Sequence, residues 1–236
     1  MNKPYKIAVI DYRMSNMFSI KNALEILGFK VEVTSDRSTI LSCDGAILPG
    51  VGSFPEAMRH IKEFELDVSI NDFIDSGKPF LGICLGFQLL FNKSVEIEDT
   101  FGLGIISGEV KDFSLLDDKI RVPHVGWNNV KKKQMTNITN NLDPLKKFNE
   151  EEYFYFVHSY YVEPEDNNDI YTTTEYGGIN FCSSILKENI FACQFHPEKS
   201  GEKGIRIFPN FKDELSIIIH EALRWGGKCS CTIENT

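Results

Sequence analysis

The chain has 236 residues, of which 42% are hydrophobic, 12% aromatic and 25% charged, with a formal net charge of −9. A chain of this length buries roughly 70–75% of its unfolded surface and can hold a core without disulfide or metal, and its aromatic content excludes a disordered polymer. The acid excess, with a pI near 5.1, offers no basic stripe for nucleic acid, and no apolar run approaches the ~18 residues of a membrane span.

Lys6-Ile7-Ala8-Val9-Ile10-Asp11 reads as a buried strand, and its direct start after a short polar opening, with no apolar signal core, fits a reducing cytoplasm. Residues 15–28 carry Ile20, Ala23, Leu24 and Leu27 at helical spacing, closed by Gly28. Val31-Glu32-Val33 is a second strand. Gly45-Ala46-Ile47-Leu48 is a third and ends in Pro49-Gly50-Val51-Gly52. Helices are expected over 54–63 and 66–76, the second stopped by Gly77 and Pro79. Phe80-Leu81-Gly82-Ile83 is the next strand, turning at Cys84-Leu85-Gly86 into a helix that carries Leu89, Leu90 and Phe91. This alternation predicts an α/β fold: a three-layer, flavodoxin-like, mostly parallel sheet with helices on both faces.

The second half is strand-rich, with strands expected over 108–113, 153–162, 171–174, 180–186 and 190–194 and a hairpin loop at Lys187-Glu188-Asn189. Residues 131–151, including Lys131-Lys132-Lys133, read as a solvated loop with a short helix over 142–148. Residues 213–225 form an amphipathic pattern closed by Gly226-Gly227, followed by a frayed tail. The division is therefore 1–211 as one domain and 212–236 as a helix and tail without an assigned role.

Six cysteines are too few and too scattered for a disulfide framework. Cys43, Cys84, Cys182 and Cys193 lie singly in apolar stretches and read as buried thiols. Cys229 and Cys231 form a C-x-C without the companions of a zinc site. No metal and no cofactor is expected.

Gly82-Ile83-Cys84-Leu85-Gly86 is different, because G-x-C-x-G at a strand-to-helix junction is the cysteine form of a nucleophile elbow. The glycines permit the tight turn, the helix start favours a thiolate, and the next backbone N–H can serve an oxyanion. A buried structural cysteine is the competing reading of this motif alone. Pro49 to Gly52 ends a neighbouring strand, so a second oxyanion donor can converge there. His196-Pro197-Glu198 supplies a base and a carboxylate to orient it, an extended H-x-E placing both side chains on one side. His60 and His220 read as helix-surface residues; His124 and His158 sit in apolar surroundings and stay open between structural and functional roles.

These elements, in this order, resemble class I (triad) glutamine amidotransferases. Val122-Pro123-His124-Val125-Gly126-Trp127-Asn128, Phe156-Val157-His158-Ser159-Tyr160-Tyr161-Val162 and Phe195-His196-Pro197-Glu198-Lys199-Ser200-Gly201 resemble more narrowly the glutaminase subunits of imidazole glycerol phosphate synthases, of histidine biosynthesis. The resemblance runs from about Lys6 to Phe211. It implies Cys84 as nucleophile, His196 as base, Glu198 as its orienting carboxylate, and Leu85 with Val51 or Gly52 as the oxyanion hole. It implies that Gly50, Gln88, Glu96, Ser159 and Tyr160 bind L-glutamine. Ammonia would pass through a channel to a (βα)8-barrel cyclase partner in a heterodimer, with Asn16, Trp127, Asn128 and Lys199 near the interface, and neither nucleic acid nor membrane is a partner. It also implies weak glutaminase activity without the partner, with Pro49 to Gly52 as the switch.

Two departures mark this chain. Asp11-Tyr12-Arg13-Met14-Ser15-Asn16 stands where the family has Asp-Tyr-Gly-x-Gly-Asn, and residues 212–236 have no family counterpart. They motivate an alternative, a paralogous ammonia donor for acetamidino-sugar synthesis in surface-glycan (LPS O-antigen or nonulosonic acid) formation. A non-catalytic scaffold and an unrelated cysteine hydrolase such as a γ-glutamyl peptidase are the remaining readings.

Overall fold

The structure is a computed structural model that describes residues 5–14, 17–116, 120–133, 144, 145 and 148–208. The first part alternates between β1 (Lys6–Ile10), α1 (Met17–Ile26), β2 (Lys30–Thr34), α2 (Arg37–Ser42), β3 (Gly45–Leu48), α3 (Phe54–Glu63), α4 (Leu66–Asp75), β4 (Phe80–Ile83) and α5 (Leu85–Gln88). β3 and β4 are buried at every residue, as parallel strands covered on both faces must be. α1 buries Ile20, Ala23 and Leu24 along one face. It ends where Phe29 N–H reaches the Leu24 carbonyl (3.1 Å) and Gly28 N–H the Glu25 carbonyl (2.9 Å), with Gly28 at φ +81°. That double bond is a Schellman cap, which needs a left-handed residue at this position.

The second part holds β5 (Phe91–Ser94), β6 (Thr100–Phe101), β7 (Ile106–Asp112), β8 (His124–Lys132), β9 (Glu151–His158), β10 (Tyr160–Pro164), β11 (Ile170–Tyr176), β12 (Ile179–Lys187), β13 (Ile190–Cys193) and the short α6 (Gly201–Ile205). One sheet runs β2-β1-β3-β4-β13-β12-β10-β7-β5-β6. Its first five strands are parallel, in the flavodoxin-like order with β13 as the fifth. From β12 to β10 and β7 the pairing turns antiparallel, and β11, β8 and β9 branch from β12. Alternate residues of β1 enter opposite cores: Ile7 and Val9 join α1 and the aromatic residues of β9, whereas Ala8 and Ile10 join α3 and α4. The C-terminal ends of β3, β4 and β13 thus meet at one edge, where open α/β sheets form their crevice.

Several expectations need correction. The helix after Cys84 stops at Gln88, and Phe91 begins β5. The reason is tertiary: the carbonyls of Leu89, Leu90 and Phe91 accept N–H groups from Leu103, Ile105 and Gly104 instead of from a next helical turn. The strand expected over 153–162 is two strands broken at Ser159. β5, β6, β8 and α2 have no counterpart among the expected elements, although Asp36 caps α2 in the usual way, its carboxylate accepting from Thr39 N–H at 2.7 Å. His60 is half-buried on the helix surface, its Nδ1 2.8 Å from the Tyr12 carbonyl and its Nε2 3.1 Å from Glu56 Oε1. Of the helix expected over 142–148, Pro144 and Leu145 form a turn and Phe148 a bend; the rest, together with Asn16, the helix expected over 213–225 and the C-x-C, lies outside the described residues. Cys43, Cys84, Cys182 and Cys193 are free and buried, as expected.

Candidate active site

Cys84 follows β4 directly, at φ +54° and ψ −110°. A non-glycine residue there costs about 1–3 kcal/mol and persists only where neighbours over-determine it. Here they do. Cys84 N–H donates to the Cys193 carbonyl at 2.8 Å, tying the elbow to β13. Gly86 lies against β3 so closely that a Cβ would overlap the Leu48 carbonyl, and a Cβ on Gly82 would lie 3.0 Å from Ala192 Cβ. The two glycines of G-x-C-x-G are therefore sites of close backbone approach, as expected.

The expected base, His196, lies in the loop after β13. His196 Nδ1 is 2.8 Å from Glu198 Oε1. The H-x-E stretch is not extended, however: Pro197–Lys199 is a 3-10 turn that curls Glu198 back onto the ring. Ser200 fixes this turn, its hydroxyl donating to the His196 carbonyl (2.6 Å) and accepting from Tyr155 N–H (3.0 Å). With Nδ1 occupied, buried Nε2 has no formed hydrogen bond, and the group with which the ring interacts on that side is Cys84. Burial alone would lower the His196 pKa, but the Cys84 charge and the Glu198 carboxylate outweigh it and raise it to about 10. A histidine held protonated in this way is the partner that a cysteine thiolate would need.

Cys84 and His196 wall a cavity of about 260 Å³. Gln88, Glu96, Ser159 and Tyr160 line it, as do Val51, Gly52 and Leu85. Gly50 does not. It packs behind the elbow, where a Cβ would meet the Tyr12 hydroxyl and Leu85. Glu96 Oε2 accepts from Phe54 N–H at 2.7 Å, capping α3 from a distant loop where the Ser53 side chain makes no cap bond. Burial raises the Glu96 pKa, while the Phe54 N–H opposes the shift. Leu85 is the first residue of α5, so its N–H is one of the donors that a helix start leaves without an internal partner. The Val51 N–H is engaged, donating to the Met14 carbonyl at 3.1 Å, with Gly52 beside it at φ +102°. Among the described residues no cluster of three His, Cys, Asp or Glu side chains is placed to hold a metal ion.

A model of the family "Glutamine amidotransferase class-I" matches residues 8–214. The chain belongs to that family. Over 212 residues it is 44% identical to the imidazole glycerol phosphate synthase subunit HisH of Caldanaerobacter subterraneus, covering 90% of this chain and 100% of the relative. Over 208 residues it is 47% identical to the subunit of the same name from Aquifex aeolicus, covering 88% and 96%. Among solved structures it is similar to PurLQS from Thermotoga maritima (TM-score 0.69, 22% identity, 90% of this chain and 100% of that one). It is also similar to a glutamine amidotransferase from the same organism (TM-score 0.59, 14% identity, 92% and 86%). At these identities the likeness is one of fold.

Two buried histidines of the amidotransferase, left open by the sequence, form a pair at the cavity, which His158 helps to line. His124 Nδ1 is 2.9 Å from His158 Nε2, and His158 Nδ1 is 2.7 Å from the Tyr160 carbonyl. A carbonyl only accepts, so His158 carries its proton on Nδ1 and accepts at Nε2, and His124 must donate from Nδ1. His124 Nε2 then accepts from Asn128 Nδ2 at 3.2 Å, and that same amide donates to the Glu175 carbonyl at 2.9 Å. Every link is satisfied with both rings neutral. Burial lowers the pKa of His124 to about 4 and that of His158 to about 3.

The remaining interface candidates of the amidotransferase separate. Trp127 is 57% exposed and stands edge-on to Tyr155 at 6.3 Å. Lys199 is exposed and shares a small hollow behind His196 with Ile20 and Val51. Asn128, by contrast, turns its amide inward to His124. Arg13 adopts φ +67°, the conformation a glycine would supply. Its N–H bonds Asp11 Oδ1 at 2.8 Å and its guanidinium covers the Phe64 ring at 4.7 Å.

Proposed function

We propose that this protein is the glutaminase subunit of an imidazole glycerol phosphate synthase, hydrolysing L-glutamine and passing ammonia to a (βα)8-barrel cyclase partner in the cytoplasm. The observation that carries the chemistry is the buried Cys84–His196–Glu198 constellation at the wall of a cavity that also holds Glu96 and Gln88. The similarity to HisH subunits over 88–90% of this chain supports the pathway over the surface-glycan alternative. The catalytic unit would span 1–211.

In this reading the Cys84 thiolate attacks the side-chain amide carbon of glutamine. The tetrahedral oxyanion is held by the Leu85 N–H and by a second N–H from Val51 or Gly52. His196, protonated at Nε2, delivers its proton to the departing ammonia, and Glu198 keeps the ring oriented through Nδ1. Water then attacks the thioester with His196 as base, releasing glutamate. Glu96 receives the α-ammonium, its Oε2 remaining on the α3 cap, and Ser159 and Tyr160 face the substrate backbone. Trp127 and Lys199 meet the partner.

Replacing Cys84 with Ala is expected to abolish glutamine hydrolysis in the presence of the cyclase without changing the melting temperature. Retained hydrolysis would overturn the mechanism. Growth of a glutaminase-subunit deletion strain without histidine checks the pathway, and failure of the well-expressed gene to restore it counts against that assignment.

A further inference from the structure

Gln194 is fully buried and follows β13, two residues before His196. Its Nε2 lies 3.7 Å from Cys84 Sγ, an N–H···S distance, and its Oε1 accepts from Gln88 Nε2 at 3.0 Å. Gln88 Nε2 also donates to the Tyr160 carbonyl at 3.1 Å. Because that carbonyl only accepts, the end of Gln88 facing it must be the NH₂ group. Gln194 must then turn its oxygen to Gln88 and its NH₂ to the sulfur. Flipping either amide would set two donors or two acceptors against each other. The Tyr160 carbonyl is in turn held by the tautomer-locked His158 and His124.

We propose that Gln194 is a positioning residue for Cys84: its amide N–H holds the sulfur at the elbow and favours the thiolate over the thiol. The inference rests on Cys84 being the nucleophile. A donor bonds an anion roughly twice as strongly as a neutral acceptor, so this contact discriminates between the two forms of the sulfur. The titratable groups around Cys84 are His196 with Glu198 behind it, Cys193 on β13, Tyr12 after β1, and His158 on β9. Burial raises Tyr12 and Cys193 and lowers His158, so these three stay uncharged at neutral pH. His196 and Gln194 are the side chains left to stabilise a thiolate.

The test is the pH profile of Cys84 alkylation by iodoacetamide in the full-length protein, followed by intact mass with a Cys84→Ala blank. Gln194→Met keeps the length and removes the donor, while Gln194→Glu places a carboxylate against the sulfur. The Cys84 midpoint is expected to rise in Gln194→Met and further in Gln194→Glu, with alkylation at neutral pH slowed about tenfold in the first. Gln88→Met leaves Gln194 in place but frees its amide to turn, and an intermediate profile is expected; this variant decides alone if Gln194→Met does not fold. Profiles of folded variants that superimpose on wild type overturn the proposal while leaving Cys84 as nucleophile. A wild-type Cys84 that resists alkylation at neutral pH overturns both this inference and the mechanism beneath it.

Discussion

Among the described glycines the tightest constraint is the absence of a side chain at Gly86, where any Cβ would overlap the Leu48 carbonyl. The obstacle is backbone of β3, which cannot give way without breaking the sheet. Gly86→Ala should cost about 3 kcal/mol or more, the upper range for overpacking. Gly28→Ala, with open space around it but φ +81°, should cost only the ~1–2 kcal/mol of left-handed strain. Denaturant unfolding of both variants separates the steric from the conformational penalty, and equal losses would refute the distinction. The Cys84 elbow was legible in the sequence because each of its constraints is local: two glycines, a thiol and a helix start within five residues. Gln194 and the histidine pair were not. Gln194 gains its meaning from Gln88, 106 residues away, and His124 from His158, 34 residues away, and no spacing rule encodes such pairs.

β8 and β9 show the same limit at the level of elements. The first five parallel strands could be read because burial on both faces leaves uninterrupted apolar runs. β8 could not, since Gly126, Asn128 and Asn129 break its pattern and its pairing with β9 spans His124↔His158 to Lys131↔Glu151 across a long polar segment. What stabilises this pairing includes the two neutral rings, His124 stacked on Tyr176 (3.9 Å) and Phe156 (4.9 Å). An unfolded histidine titrates near 6.5, whereas burial holds these at about 4 and about 3. Between those limits the unfolded chain binds more protons than the folded one, so the contribution of the pair is intact above pH 6.5 and declines as pH falls through the window. The melting temperature should therefore drop from pH 6.5 to 4. His158→Gln, less stable at neutral pH, should show a shallower acid slope; an unchanged slope would sink the assignment.

At the scale of the whole molecule, the proposed triad stands together while the turn proposed to complete the oxyanion hole is engaged elsewhere. Val51 N–H donates to the Met14 carbonyl, a bond that the peptide must release to serve an oxyanion at Cys84. Gly52, at φ +102°, supplies the freedom for that rotation. A Cβ there would also lie 2.8 Å from Met14 Cε. Val51, 41% exposed, leaves the turn open to a docked protein, and contacts that favour the rotated peptide would shift its population. The isolated subunit of the proposed complex should accordingly hydrolyse glutamine slowly, and the ligand-bound cyclase should raise kcat about 10–100-fold, as ~1.4–2.7 kcal/mol off the barrier would. Gly52→Ala should keep Cys84 alkylation near wild type yet lose most of that activation, because the thiol is set by β4 and β13 whereas the turn is not. Steady-state glutaminase assays with and without the partner measure both quantities. Full-speed hydrolysis by the free subunit would mean that the Val51 peptide turns without help, and the Met14 bond would then be no barrier to catalysis.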